Sequence, residues 1–189
     1  MTRIPSEESE RNALLRVAEM AAATARTSPK ARGVDSIKTL ILDGEDKEEL
    51  AVAMERKAEH KYEQASANFK RDANNLRAAG CVLLIGVTGS PKKIEQPLDC
   101  GACGYESCAQ FLKVKKRTVD YTGPNCIFQA MDLGIALCSA ARLASDFGID
   151  NRMMYTIGTA AKQLGLLNSD VIIGIPLSVS GKNPFFDRK

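Results

Sequence analysis

Leu14, Val17, Ala18, Ala21 and Ala25 recur at three- and four-residue intervals, the spacing that lines one face of an α-helix. Ser6 is placed to cap this helix, and Glu7, Glu8 and Glu10 suit its positive end. A helix is expected over residues 7–26, stopped by Ser28-Pro29. The β-branched and leucine-rich run from Ile37 to Leu42 reads as a strand closed by the turn pair Asp43-Gly44. Helical periodicity resumes after Asp46 through Leu50, Met54, Ala58, Ala65, Phe69, Leu76 and Ala79, as one long helix or two, and ends at Gly80. Cys81 to Val87 is an almost unbroken apolar run, the pattern of a strand buried on both faces as in a βαβ unit.

Beyond Val87 the pattern breaks into a Gly/Pro/Lys loop from Thr88 to Gln96, and it returns as an Ala/Leu-rich helix only at Ile127 to Phe147. Met153 to Ile157 fits strand or helix, and Gly158-Thr159 ahead of AAKQLGLL favours a strand, then a cap and a short helix. Val171 to Val179 is the last expected strand, with Pro176 implying an edge or a bulge. The expected architecture is α+β, a small mixed sheet of about four strands flanked by helices. Residues 1–94 and 127–189 form its core domain, and residues 95–126 an insert.

With 189 residues, 44% of them hydrophobic, the chain has apolar material for one ordinary domain, which argues against disorder. Lys and Arg number 26 against 23 Asp and Glu, for a net charge of +3, too mild for a dedicated nucleic-acid surface. The apolar run at Cys81 to Val87 is too short to span a membrane, and MTRIPSEESERN has no signal-peptide character. The expectation is a cytoplasmic protein with neither nucleic acid nor membrane as partner. In that compartment clustered thiols more often hold metal or do redox chemistry than pair as disulfides. A single His and no Trp leave little for a multi-histidine site or for base stacking.

Four of the six cysteines, Cys100, Cys103, Cys108 and Cys126, form C-x2-C-x4-C-x17-C within DCGACGYESCAQF and the later GPNC. Three thiols within nine residues can face one point only if the backbone wraps tightly, and Gly101 and Gly104 allow that. Four thiolates suit a 4Fe-4S cluster or a tetrahedral zinc. Three close cysteines with a distant fourth is the arrangement of cubane clusters, and the two-pair spacing of zinc ribbons is absent. Cys81 and Cys138 read instead as small buried hydrophobes. The basic run Lys113, Lys115, Lys116 and Arg117 either raises a cluster's potential and steers an acidic redox partner, or is a solvated helix face. His60, among charged neighbours, reads as solvated, and Tyr121 and Tyr155 as packing residues.

DCGACGYESCAQF with GPNC resembles the small ferredoxin-type cluster motif, C-G-x-C-G-x-x-x-C with a later cysteine. The whole chain, from ARTSPKARGVDSI through YTIGTAAKQLGLL to IGIPLSVSGKNPFFDR, is similar to a prokaryotic family of uncharacterised ferredoxin-domain proteins. Outside the insert, ARTSPKARGVDSIKTLIL and DLGIALCSAARLASDFGI resemble the first helix, loop and strand and the central helix of the nitroreductase-like flavin fold. These resemblances imply a 4Fe-4S cluster that carries electrons to a redox partner protein. They also imply a homodimer with FMN at the subunit interface, where the cluster would feed the flavin of an oxidoreductase. A non-catalytic zinc module is the remaining alternative. For a flavin, Ser28, Lys30 and Arg32 are the expected contacts to the ring and ribityl side, with Lys182 or Arg188 at the phosphate. The chain departs from the flavin pattern in having only Arg3 for an N-terminal R-R-S-x-R, and Gly33 and Asp35 where a loop Asn and Gln are usual.

Overall fold

The computed structural model describes residues 3–186. In chain order the elements are α1 (Ser6–Thr27), a 3-10 turn (Ala31–Gly33), β1 (Ile37–Leu42), α2 (Gly44–Ala58), α3 (Glu63–Ala78) and β2 (Cys81–Val87). There follow α4 (Cys108–Lys113), β3 (Arg117–Thr118), β4 (Thr122–Gly123), α5 (Ile127–Asp146), β5 (Asp150–Asn151), α6 (Tyr155–Gln163) and β6 (Val171–Ser178).

The main sheet has four strands in the order β1-β2-β6-β5, and β3 and β4 form a separate hairpin. Every ladder is antiparallel, so β2 is not the strand of a βαβ unit. Its apolar run has a different cause, because successive side chains alternate between two helical layers. Cys81, Leu83, Ile85 and Val87 enter a core with Leu14, Ala21, Leu137 and Ala140 of α1 and α5. Val82 and Leu84 enter a second core with Met54, Phe69, Leu76 and Ile157 of α2, α3 and α6. A central strand covered by helices on both faces reads as continuous hydrophobe whichever way its neighbours run.

Pro176 lies inside β6 opposite Val82 of β2. Gly174 exchanges both backbone bonds with Met154 on the other side of β6. β6 is not the edge strand expected: it lies between β2 and β5, its register with β2 runs through Pro176 without a bulge, and the missing N–H faces the β5 side one residue beyond the Asn151–Leu177 pair.

Of the one or two helices expected in the long apolar pattern after Asp46 there are two, interrupted at residues 59–62. Two local expectations change. Ser6 does not cap α1; Pro5 precedes the first turn and no side chain caps it. Tyr155–Gln163 is helical where residues 153–157 suggest a strand, and only Met154 bridges to β6. Gly158 is consequently no cap. It lies within α6 where the helix meets β6, and a Cβ there would stand 1.7 Å from the Ile172 carbonyl oxygen. That obstacle is backbone, so helix and strand must separate to admit a methyl group. Gly158→Ala is expected to lower unfolding free energy by about 2 kcal/mol or more, measured by urea denaturation.

Candidate metal centre and adjoining pocket

The chain leaves β2 at Val87 and does not rejoin the core until α5, and all four clustered cysteines lie on this excursion or at its end. Gly101 and Gly104 have φ of 71° and 87°, and the Gly104 amide donates to the Gly101 carbonyl at 2.9 Å. The chain folds back between Cys100 and Cys108 as the spacing predicts. Ser107 accepts from the Gln110 amide at 3.2 Å and starts α4, while the Asp99 carboxylate accepts from the Cys108 amide at 2.7 Å. Phe111 of α4 is buried, with Tyr105 set edge-on against it at 5.9 Å. The Cys126 amide donates to the Gly89 carbonyl at 2.8 Å, so the fourth thiol is fixed to the loop leaving β2.

Cys100, Cys103, Cys108 and Cys126 all line one cavity of about 270 Å³, together with Asp99 and Pro91. All four are free thiols; Cys100 is exposed and the other three half-buried. Among the described residues no three Cys, His, Asp or Glu side chains are drawn together closely enough for a single metal ion. Around one zinc the sulfurs would sit about 2.3 Å from the metal and hence about 3.8 Å from each other. In a cubane each thiolate takes a different iron, so its four sulfurs stand farther apart than four around one zinc.

A second cavity of about 360 Å³ shares Cys100, Cys108 and Cys126 with the first. Its other walls are Ala31 and Arg32 of the 3-10 turn, Pro91 and Lys92 of the loop after β2, and Leu98 and Phe128. Lys92 and Asp132 form an ion pair with side chains only 6% and 2% exposed. The other Asp132 oxygen accepts from the Ala31 amide at 2.8 Å. The next polar contacts extend this seam: Ser36 donates to Gln129 at 2.5 Å, and Gln129 donates to the Ser90 carbonyl at 2.8 Å. Among the described residues three non-glycines have positive φ, Arg32 (59°), Lys93 (48°) and Asp99 (43°). Each lines one of the two cavities or adjoins a residue that does. Such conformations cost about 1–3 kcal/mol and gather at functional sites.

Among the described residues, Arg32 is the one expected flavin contact that reaches this pocket. Ser28 is buried and donates to the Ala25 carbonyl at 2.8 Å. The Lys30 ammonium donates to the carbonyls of Ala25 at 3.0 Å and Ser28 at 2.8 Å, closing the C-terminal end of α1. Burial lowers its pKa, partly offset by Asp35 at 3.8 Å. Lys182 lies past Ser178, at the opposite end of β6 from Asp170, about 24 Å along the strand. Arg188 lies outside the described residues.

Lys116 leaves the basic run to pair with Asp170 at 2.6 Å, whose same oxygen accepts from the Gly89 amide at 2.8 Å. Lys113, Lys115 and Arg117 remain exposed. Cys81 is buried, which pushes its thiol up to about 12. Cys138 is not the buried hydrophobe expected; it is exposed on α5 with Ile127, Met131 and Ile135, the outer stripe of a helix whose inner stripe packs on α1. Among the described residues α5 alone has the length and apolarity to cross a membrane, and 44% of its most apolar window is buried in the protein.

Sequence reasoning missed Asp99, Lys92, Asp132, Asp170 and Asp120. Asp120 joins the β3–β4 hairpin to the helical layer through Lys57 at 3.0 Å, Lys61 at 2.7 Å and the Tyr155 hydroxyl. The Tyr121 hydroxyl donates to the Ile172 carbonyl at 2.8 Å, and its ring meets Tyr155 edge-on at 5.5 Å, the packing role expected of both. Burial works to raise the Asp120 pKa, but hydrogen bonds from Lys61, Tyr155 and Lys57 outweigh it and hold the group at about 2. Because the folded value lies below the unfolded one, this contribution is complete above about pH 4 and is lost as pH falls towards 2. Asp120→Asn is expected to cost on the order of 1–2 kcal/mol at neutral pH, with the gap from wild type narrowing across that acid window in urea titrations.

A family profile described as "Uncharacterized protein containing a ferredoxin domain (DUF2148)" matches residues 122–188. The match takes in Cys126 but not the three earlier cysteines. A protein of Archaeoglobus fulgidus, described only as uncharacterized, is 45% identical over 167 residues, covering 88% of this chain and 87% of its own. The chain belongs to this family of ferredoxin-domain proteins. Its fold is that of the nitroreductases. A BluB-like flavoprotein from Clostridium difficile 630 superposes with a TM-score of 0.55 at 12% identity, over 100% of this chain and 86% of the other. An FMN and NADPH-dependent nitroreductase from sphigopyxis sp. strain HMH gives 0.55 at 14% identity, over 97% of this chain and 83% of its own.

Proposed function

We propose that this chain is an iron–sulfur redox protein in which Cys100, Cys103, Cys108 and Cys126 hold one 4Fe-4S cluster and pass electrons to a redox partner protein. The observation that carries this reading is that four thiols spread over 27 positions of sequence line one cavity. When bound, the cluster would supply reversible one-electron storage. The chain's own residues wrap, anchor and shield that cavity: Gly101 and Gly104 permit the turn, Asp99 fixes the Cys108 amide, and Gly89 holds Cys126. Residues 95–126 act as an insert on a core of residues 1–94 and 127–189. Exposed Lys113, Lys115 and Arg117 lie close to the third ligand, where an acidic partner would be steered. Reduced thiols of this kind suit a cytoplasmic location.

A homodimer completes the reading, with Ile127, Met131 and Ile135 of α5 as its apolar contact. FMN at the subunit interface is the second reading, favoured by the flavoprotein fold. Within one chain the pocket offers it Arg32, while Ser28 and Lys30 are committed to the end of α1.

Anaerobically purified protein should be brown, with visible absorbance that bleaches on dithionite reduction and an electron paramagnetic signal that appears with it. A colourless protein carrying one zinc per chain would assign the thiols to a structural module instead.

A further inference from the structure

The pocket beside the thiols has more definition than electron carriage alone requires. It is an open recess between the 3-10 turn and the loop after β2, walled on one side by Pro91, Leu98 and Phe128. Two cations line it, and they differ in what they are free to do. Lys92 is spent on Asp132. The Arg32 guanidinium donates only to the Gln96 carbonyl, and no carboxylate among the described residues pairs with it. The guanidinium has five N–H donors, so most of its capacity is unused. Arg32 also holds a φ of 59°, a conformation that Gly33 beside it adopts without penalty. The backbone demand alone would be better met by glycine at both positions.

We propose that this pocket binds a small organic anion with an apolar body. Arg32 meets the anionic group, Pro91, Leu98 and Phe128 enclose the body, and the ligand rests against the wall that bears Cys100, Cys108 and Cys126. One uncommitted cation matches one anionic group. A flavin phosphate would call on cations that this chain has placed elsewhere, Lys30 at the end of α1 and Lys182 beyond the far end of β6. The inference rests on the cluster reading in so far as the cysteine wall keeps its shape around bound iron.

The test uses 4-fluorobenzoate as probe, followed by fluorine NMR on anaerobic protein whose iron is counted in the same sample. Saturable broadening is expected in the millimolar range or below, with 4-fluorobenzyl alcohol responding far less. Arg32→Gln should weaken benzoate binding by roughly tenfold or more, as loss of a charge-assisted contact implies. Leu98→Asp, an exposed change in the same wall, should weaken it comparably without relying on position 32. Iron-loaded protein that shows no saturable response, or Arg32→Gln and Leu98→Asp proteins that bind as the wild type does, would overturn the inference while leaving the cluster intact. One FMN per chain displacing the probe would overturn it in favour of a flavin. Iron-free protein that still binds benzoate through Arg32 would sink the cluster reading and leave the anion site standing.

Discussion

Cys103→Ala protein, purified without oxygen, is expected to lose essentially all of its iron and its visible absorbance while keeping its far-ultraviolet circular dichroism. Cys103 lies between the two glycines that turn the chain, and removing one thiolate leaves an iron without its protein ligand. The cost falls on the excursion, because the metal contributes folding energy only where its ligands lie. The two cores on either face of the main sheet contain none of the four clustered cysteines. A single cooperative transition should therefore persist on heating, with faster proteolysis confined to residues 95–113. Collapse of the whole transition would mean that the sheet depends on the bound metal.

Asp132→Ala should be the most damaging single change near the pocket. The substitution strands the Lys92 ammonium in a site where its side chain is only 6% exposed, and it also leaves the Ala31 amide without its acceptor. Breaking a buried pair from one side costs about 3–5 kcal/mol. Removing both charges with Lys92→Met and Asp132→Leu together should recover much of that loss, since the stranded charge is then gone. Urea denaturation of the two single variants and the double variant measures the coupling. Equal, additive losses would show that the pair does not act as a unit.

The elements that follow from local chemistry were legible in the sequence. The apolar stripe of α1, the run at Cys81–Val87 and the Ala/Leu-rich α5 appear within a residue or two of where periodicity puts them. Tyr155–Gln163 was hidden because Met, Tyr, Thr and Ile in succession favour a strand, and burial of Ile157 and Ala160 against β6 overrides that preference. Strand direction was hidden for a related reason. Burial on both faces of β2 records two helical layers and carries no information about hydrogen-bond polarity.

At the site, the cysteines and turning glycines announce themselves by spacing. Their supports do not: Lys92 meets Asp132 across 40 positions, and Lys116 meets Asp170 across 54. No periodicity links such pairs before the chain is folded. Cys138 shows the converse limit, since an Ala/Leu-rich helix has the same composition whether a residue faces the core or the outer stripe.

Iron and acid-labile sulfide, counted per chain in anaerobically purified protein, bear most directly on what these thiols do. About four of each, lost together in Cys103→Ala, is the expected result for a cubane held by four cysteines. One zinc and no labile sulfide, or a full complement of FMN with no iron, would contradict it.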